Sequence, residues 1–229
     1  MASAGGSGLP RGRVSAVAEF EAQSFEPRRE PLWELQSGMV QEWVATSEGS
    51  GVLELALWNA RQSLHGQSII AGGRWLVVDT TLSPVAMVER GIDLSRVVAV
   101  QVHEPTELLW AVEQGLRSRG VDLVICRVDR LPTVAFRRWK LAAEVGGTRC
   151  LVLRGADALR EAGWADLRVR VTPLCSPDWD KRRSRIETLK VRNGLPGGVI
   201  EVEWDRETDC LRVVSVLADS TSTPCAAGA

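Results

Sequence analysis

Apolar residues along the chain fall into short continuous runs separated by stretches of helical period. Val44 and its neighbours make a brief apolar segment that runs into Glu48-Gly49-Ser50-Gly51. Leu53, Ala56, Leu57, Ala60 and Leu64 then recur at the spacing of one helix face. The run Trp75-Leu76-Val77-Val78 closes on Asp79, and a helix across Pro84–Arg90 stops at Gly91. Val97–Val102 is the next strand, and Leu108, Leu109, Val112 and Leu116 mark a helix that Gly120 ends. Val121–Cys126, a helix over Pro132–Val145 ended by Gly146-Gly147, and Cys150–Leu153 complete the alternation. Strands that are apolar throughout, joined by helices, are strands buried on both faces, so the pattern predicts a mostly parallel sheet between two helical layers.

The pattern changes after Trp164. Leu167–Leu174, Arg185–Arg192, Val199–Trp204 and Leu211–Val216 read as strands joined by short turns, among them Asn193-Gly194 and Pro196-Gly197-Gly198. They extend the sheet as an antiparallel meander, giving a three-layer α/β sandwich. Residues 1–29, with Ala4-Gly5-Gly6-Ser7-Gly8 and Arg11-Gly12-Arg13, supply no core face and are expected to be a flexible arm. Residues 219–229, rich in Ser, Thr, Ala and Gly, are expected to be a disordered tail, leaving one domain over 30–218.

Composition narrows the functional classes. The 28 Lys and Arg nearly balance the 29 Asp and Glu, so a polybasic binder of nucleic acid or membrane is excluded, though a local basic patch is not. His65 and His103 are the two histidines, too few for a multi-histidine metal site. The five cysteines carry no C-x-x-C spacing, and Cys126 and Cys150 lie in apolar runs as small core residues. No leader-like apolar stretch opens the chain and no run approaches the roughly 18 apolar residues of a membrane span, so the protein is expected in the cytoplasm. The nine tryptophans fall mostly in predicted elements and read as core. Lys181-Arg182-Arg183-Ser184-Arg185, and Arg137-Arg138 with Lys140, read as solvated hairpin or helix faces or as phosphate contacts.

A strand, a glycine-rich turn and a helix are the parts of a phosphate-binding loop. Here the turn is Thr46-Ser47-Glu48-Gly49-Ser50-Gly51, followed by Val52 and Leu53. A working loop needs Lys and then Ser or Thr at those last two positions, to neutralise phosphate and hold Mg²⁺; an aliphatic pair does neither. Gly49, Ser50 and Gly51 still offer amides to an anion. The segment is thus a vestigial phosphate loop, or simply a tight turn closing a strand onto a helix.

At this point the chain resembles the RecA recombinases over roughly Val44–Trp204. Val77-Val78-Asp79-Thr80-Thr81-Leu82-Ser83-Pro84 looks like the second core strand of that family. Gly91-Ile92-Asp93-Leu94-Ser95-Arg96-Val97 is similar to the lead into its third strand, and Gly120-Val121-Asp122-Leu123-Val124 to the approach to its Walker B position. Ile186–Pro196 resembles the late strand that carries two cations toward a neighbouring subunit's nucleotide; Lys190 and Arg192 stand there, two apart and therefore on one face. The departures are as telling. Mapped by this resemblance, the catalytic glutamate falls on Thr81, the Walker B acid on Arg127 with Asp129 two residues late, and the γ-phosphate sensor on Gly155. The segments in the places of the two DNA-binding loops are short.

A RecA core with degenerate nucleotide motifs and short loops resembles the ImuA-type accessory proteins of bacterial translesion synthesis. The resemblance implies a catalytically inactive adaptor of DNA-damage tolerance and the SOS response. It would bind RecA, in part through Lys190 and Arg192, and a Y-family polymerase homologue, with at best weak contact to DNA. It implies no cofactor and at best weak ATP binding by the vestigial loop Glu48, Gly49, Ser50, Gly51. Two alternatives share the fold: a residual ATP-binding or ATPase domain using Glu48, Asp79 or Asp129, and a regulator like the cell-division inhibitors.

Overall fold

A computed structural model describes residues 32–64, 73–78, 84–176, 178–192, 194 and 196–217. The elements in order are β1 (Val40–Ala45), α1 (Val52–Leu64), β2 (Arg74–Val78), α2 (Pro84–Glu89), β3 (Val97–Val100), α3 (Pro105–Arg117), β4 (Val121–Arg127), α4 (Thr133–Gly146) and β5 (Arg149–Arg154). Then come β6 (Leu167–Leu174), β7 (Lys181–Val191), β8 (Val199–Asp205) and β9 (Cys210–Leu217). Among the described residues these strands form one sheet in the order β3-β2-β4-β5-β1-β6-β7-β8-β9. Neighbours from β3 to β6 pair parallel, and β6 through β9 pair antiparallel. This is the mostly parallel sheet with an antiparallel extension that the sequence pattern predicts. The arm and tail expected at 1–29 and 219–229 lie outside the described residues, as do Asp79 and Thr81.

Two apolar layers sandwich the sheet. On one face Trp43, Ile125, Leu151 and Val169 meet α1 and Met87 of α2, and the same layer continues beneath the meander through Ile186, Val202 and Trp204. On the other face Val40, Val124, Cys126, Cys150 and Val152 meet Leu108 and Val112 of α3 and Phe136 and Trp139 of α4. Cys126 and Cys150 are fully buried on neighbouring strands. The contact between their thiols, together with burial, pushes Cys150 well above the usual thiol range, which keeps it inert core filling.

Helix α1 is buried on more than its sheet face. The segment before β1 straddles it: Trp33 N donates to Asn59 Oδ1 at 2.9 Å, Asn59 Nδ2 donates to the Trp33 carbonyl at 2.8 Å, and Leu35 N donates to Ser63 Oγ at 3.1 Å. Leu35 itself is fully buried.

Two sequence expectations need correction. The basic run Lys181–Arg185 does lie in a hairpin, that of β6 and β7, but as strand: it is the first half of β7, which starts four residues earlier than its apolar pattern suggests. Its guanidiniums pair across the strands, Arg183 with Glu203 at 2.7 Å and Arg185 with Glu201 at 2.7 Å, so the run is charge-compensated sheet surface. The tryptophans are not all core: Trp43, Trp58, Trp75, Trp139 and Trp204 are buried, but Trp110 and Trp179 stand in solvent.

Candidate functional site

The turn after β1 is built on glycine. Gly49 and Gly51 both take left-handed φ, 73° and 76°, a region that costs a side-chain-bearing residue but not glycine. Leu55 N donates to the Gly51 carbonyl at 3.0 Å, so α1 starts directly on the turn. Strands outside the nucleotide motif tie the loop down. Thr46 N and Oγ1 donate to the Val171 carbonyl of β6, and Ser184 Oγ of β7 donates to the Ser50 carbonyl at 3.1 Å. Glu48 and Gly49 are exposed and Ser50 is buried. Val52, where a lysine would reach phosphate, is buried in the hydrophobic core, and Leu53 packs against that core.

Around the turn lies a cavity of about 620 Å³ at the carboxyl ends of the parallel strands. Arg127 ends β4 and Asp129 stands in the loop after it, both exposed, as the sequence placed them. Gly155 follows β5 directly, and the short 3-10 turn Ala156–Arg160 carries the chain on toward β6. Arg154 forms the rear wall. It is buried and fully engaged, donating to Glu42 Oε1 at 3.1 Å, Glu161 Oε2 at 2.7 Å and the Asp129 carbonyl at 2.8 Å. Arg168 of β6 pairs with the other Glu42 oxygen and donates to the Glu161 carbonyl at 2.7 Å. The segment between β5 and β6 is thereby pinned to the sheet.

The sequence missed Arg182. It comes from β7 and lies across the glycine turn: a Cβ at Gly51 would stand 2.8 Å from its Cδ and 3.2 Å from Nη1. Its guanidinium meets Glu54 in the first turn of α1 at 3.2 Å. An arginine thus lies over the glycine turn, paired with a residue 128 positions away; the sequence marked it as part of a basic run, not as a neighbour of this turn. The wall carries Arg127, Arg154 and Arg182 against Glu48, Glu54 and Asp129, so cations and carboxylates balance.

Lys190 lies near the end of β7 and Arg192 one residue beyond it. Lys190 Nζ donates to the Gly163 carbonyl at 3.0 Å. Arg192 contacts Asp166 Oδ1 at 3.1 Å and Glu144 Oε1 at 3.2 Å, while its side chain stays 55% exposed. These cations lie away from the cavity walls; one exposed guanidinium remains available on the surface. Among the described residues no three His, Cys, Asp or Glu side chains gather into a metal-binding group. No helix of the described residues is long and apolar enough to cross a membrane.

The chain presents a mixed α/β sheet with a glycine turn at the carboxyl ends of its parallel strands, followed by Val52 and Leu53. The chain is distantly similar to Protein ImuA of Caulobacter vibrioides in two strains, 27% identical over 186 residues that make up 73% of this chain and 76% of the relative. Among solved structures, SulA from Pseudomonas aeruginosa aligns with a TM-score of 0.41 and 15% identity, covering 50% of this chain and 97% of that one. No protein-family model matches.

Proposed function

We propose that this protein is an enzymatically silent RecA-like adaptor of DNA-damage tolerance that works by contact with RecA and with a Y-family polymerase homologue. The observation that carries the reading is the fate of the phosphate loop. Its glycine backbone persists, but Val52 and Leu53 turn into the core where a nucleotide enzyme needs a cation and a metal-holding hydroxyl. The distant similarity to ImuA supports the damage-response setting. Arg127 in place of the Walker B acid supports inactivity, because it sets a positive charge where the metal would sit.

In this reading Lys190 and Arg192 form part of the RecA contact. Arg192 has exposed N–H groups to spare, and Lys190 has two donors beyond its bond to Gly163. The test is a Lys190→Ala, Arg192→Ala double variant titrated against RecA–ATP filaments, with its melting curve recorded alongside. Charge-assisted contacts contribute about 1.5–3 kcal/mol each, so a folded double variant should lose at least tenfold in affinity. Unchanged binding by the folded variant removes both residues from the interface.

A second reading, residual nucleotide binding, has one observation in its favour: the cavity persists, with Arg127 and Arg182 on its walls beside Glu48 and Asp129. An ATP titration separates the two.

A further inference from the structure

Helices α3 and α4 form the outer layer over one face of the sheet, and each already has a buried side. Leu108, Val112 and Leu116 point inward from α3, as do Phe136, Trp139 and Ala143 from α4. Yet α4 is apolar on its outside as well. Val134, Leu141 and Val145 are separated by seven and four residues, so they line one outward stripe, and they are 70%, 62% and 79% exposed. Trp110 on the neighbouring helix is 65% exposed. A helix that is apolar on two sides belongs in an interior. Two valines on the outward stripe also lower helix propensity, and both stand largely in solvent.

Two exposed guanidiniums edge this stripe on the side of α3. Arg138 sits between Val134 and Leu141 on the same side of α4, and Arg117 projects from α3. Both clasp Glu113 at 2.7 Å, burying its carboxylate while their own side chains remain 61% and 57% exposed. Arg137 stacks over Trp164 at 3.8 Å on the far flank. Carboxylates stand further off, at the start of α3 and on the flank of α4 toward Arg192. Glu107 folds back to accept the His103 and Glu104 amides at the start of α3, and Glu144 meets Lys140 and Arg192.

We infer that the outer face of α3 and α4 is a docking surface for an amphipathic helix of a partner protein, with aliphatic residues at i, i+3/i+4 and i+7 flanked by carboxylates. The aliphatic stripe takes the apolar face, Trp110 supplies the large ring that anchors such grooves, and Arg117 and Arg138 meet the acidic flank. A second copy of the chain fits poorly. A two-fold contact would set this surface against itself and bring the same arginines face to face. Nucleic acid fits poorly too, since three aliphatic side chains offer phosphates nothing.

The test places a photo-crosslinking benzoylphenylalanine at Val145 of the full-length chain in cells that make the protein, with a control at the exposed Val88 of α2, and sequences the crosslinked peptide. The expected adduct at position 145, absent at 88, is a segment with the stated apolar spacing and flanking Asp or Glu. Leu141→Glu should lower its yield at least tenfold, the effect of losing one buried leucyl contact and adding a like charge. Leu141→Lys should retain several-fold more adduct than Leu141→Glu, because it keeps the sign of the face. Trp110→Ala, on the other helix, should lower the yield as well. Crosslinks to this chain itself, to nucleic acid or to a segment without acidic flanks would overturn the inference. So would equal adducts at 88 and 145, or equal effects of Leu141→Glu and Leu141→Lys.

Discussion

Asp166 shows how much one carboxylate can organise. Its side chain is almost fully buried, accepts the Val40 amide at 3.0 Å, and meets Lys140 of α4 and Arg192 beyond β7. Its own amide and carbonyl bond to the Val40 carbonyl and the Arg192 amide. Three elements distant in sequence are joined at this residue. Burial alone would raise the acid, but the Lys140 and Val40 hydrogen bonds and the two cations outweigh it and hold Asp166 below the usual carboxylate range. A carboxylate with a depressed folded value stabilises the fold above its unfolded value, about 3.9, and loses that contribution as pH falls through the folded value. Asp166→Asn should therefore cost roughly 1.5–3 kcal/mol at neutral pH, the range for hydrogen bonds to a charged group. The gap between the variant and the parent should shrink below about pH 4. Denaturant melts at pH 7 and pH 3 check this; an equal gap at both would mean the carboxylate's charge contributes nothing.

At the scale of elements, the closest approach on the outer layer is between α3 and α4. Gly146 ends α4 with its Cα facing the Leu116 carbonyl of α3, so a Cβ there would collide with backbone. Gly115 faces the side chain of Leu76, which can rotate. Both glycines cost helix propensity, about 1 kcal/mol relative to alanine, so alanine would help were there room. We expect Gly146→Ala to destabilise by about 1–3 kcal/mol and Gly115→Ala by less, because only the first forces backbone apart. Chemical denaturation of both variants tests the order, and a stabilised Gly146→Ala would show that the helices can separate freely. The parallel strands were legible because burial on both faces gives them continuous apolar runs, as in Leu123–Cys126 of β4. The start of β7 was not, because Lys181, Arg182 and Arg183 write a strand in charges that only its neighbours Glu203 and Glu54 explain. Trp110 was hidden for a related reason: residue type marks a ring as core-forming, whereas exposure depends on which side of the helix it occupies.

The cavity belongs to the whole molecule, assembled from the turn after β1, the ends of β4 and β5, and one side chain of β7. The glycine turn could be read locally; Arg182 could not, since it is brought there by a meander that begins more than a hundred residues later. Carboxyl ends of parallel strands are where α/β domains bind ligands, so the position favours a nucleotide, and the decision rests on charge. A submicromolar ligand needs more than about 8 kcal/mol of net binding. Hydrogen bonds from charged donors contribute about 1.5–3 kcal/mol each, and here Arg154 is committed to Glu42 and Glu161 and Arg182 to Glu54. Glu48 and Asp129 add negative charge to the same walls, against a triphosphate. Calorimetric titration with ATP and Mg²⁺ should accordingly show no submicromolar site and no turnover. Should submicromolar binding appear, Arg127 and Arg182 would be replacing the missing lysine from outside the loop. Arg182→Ala would then abolish the binding, whereas on the present reading it only frees Glu54 and leaves the titration flat.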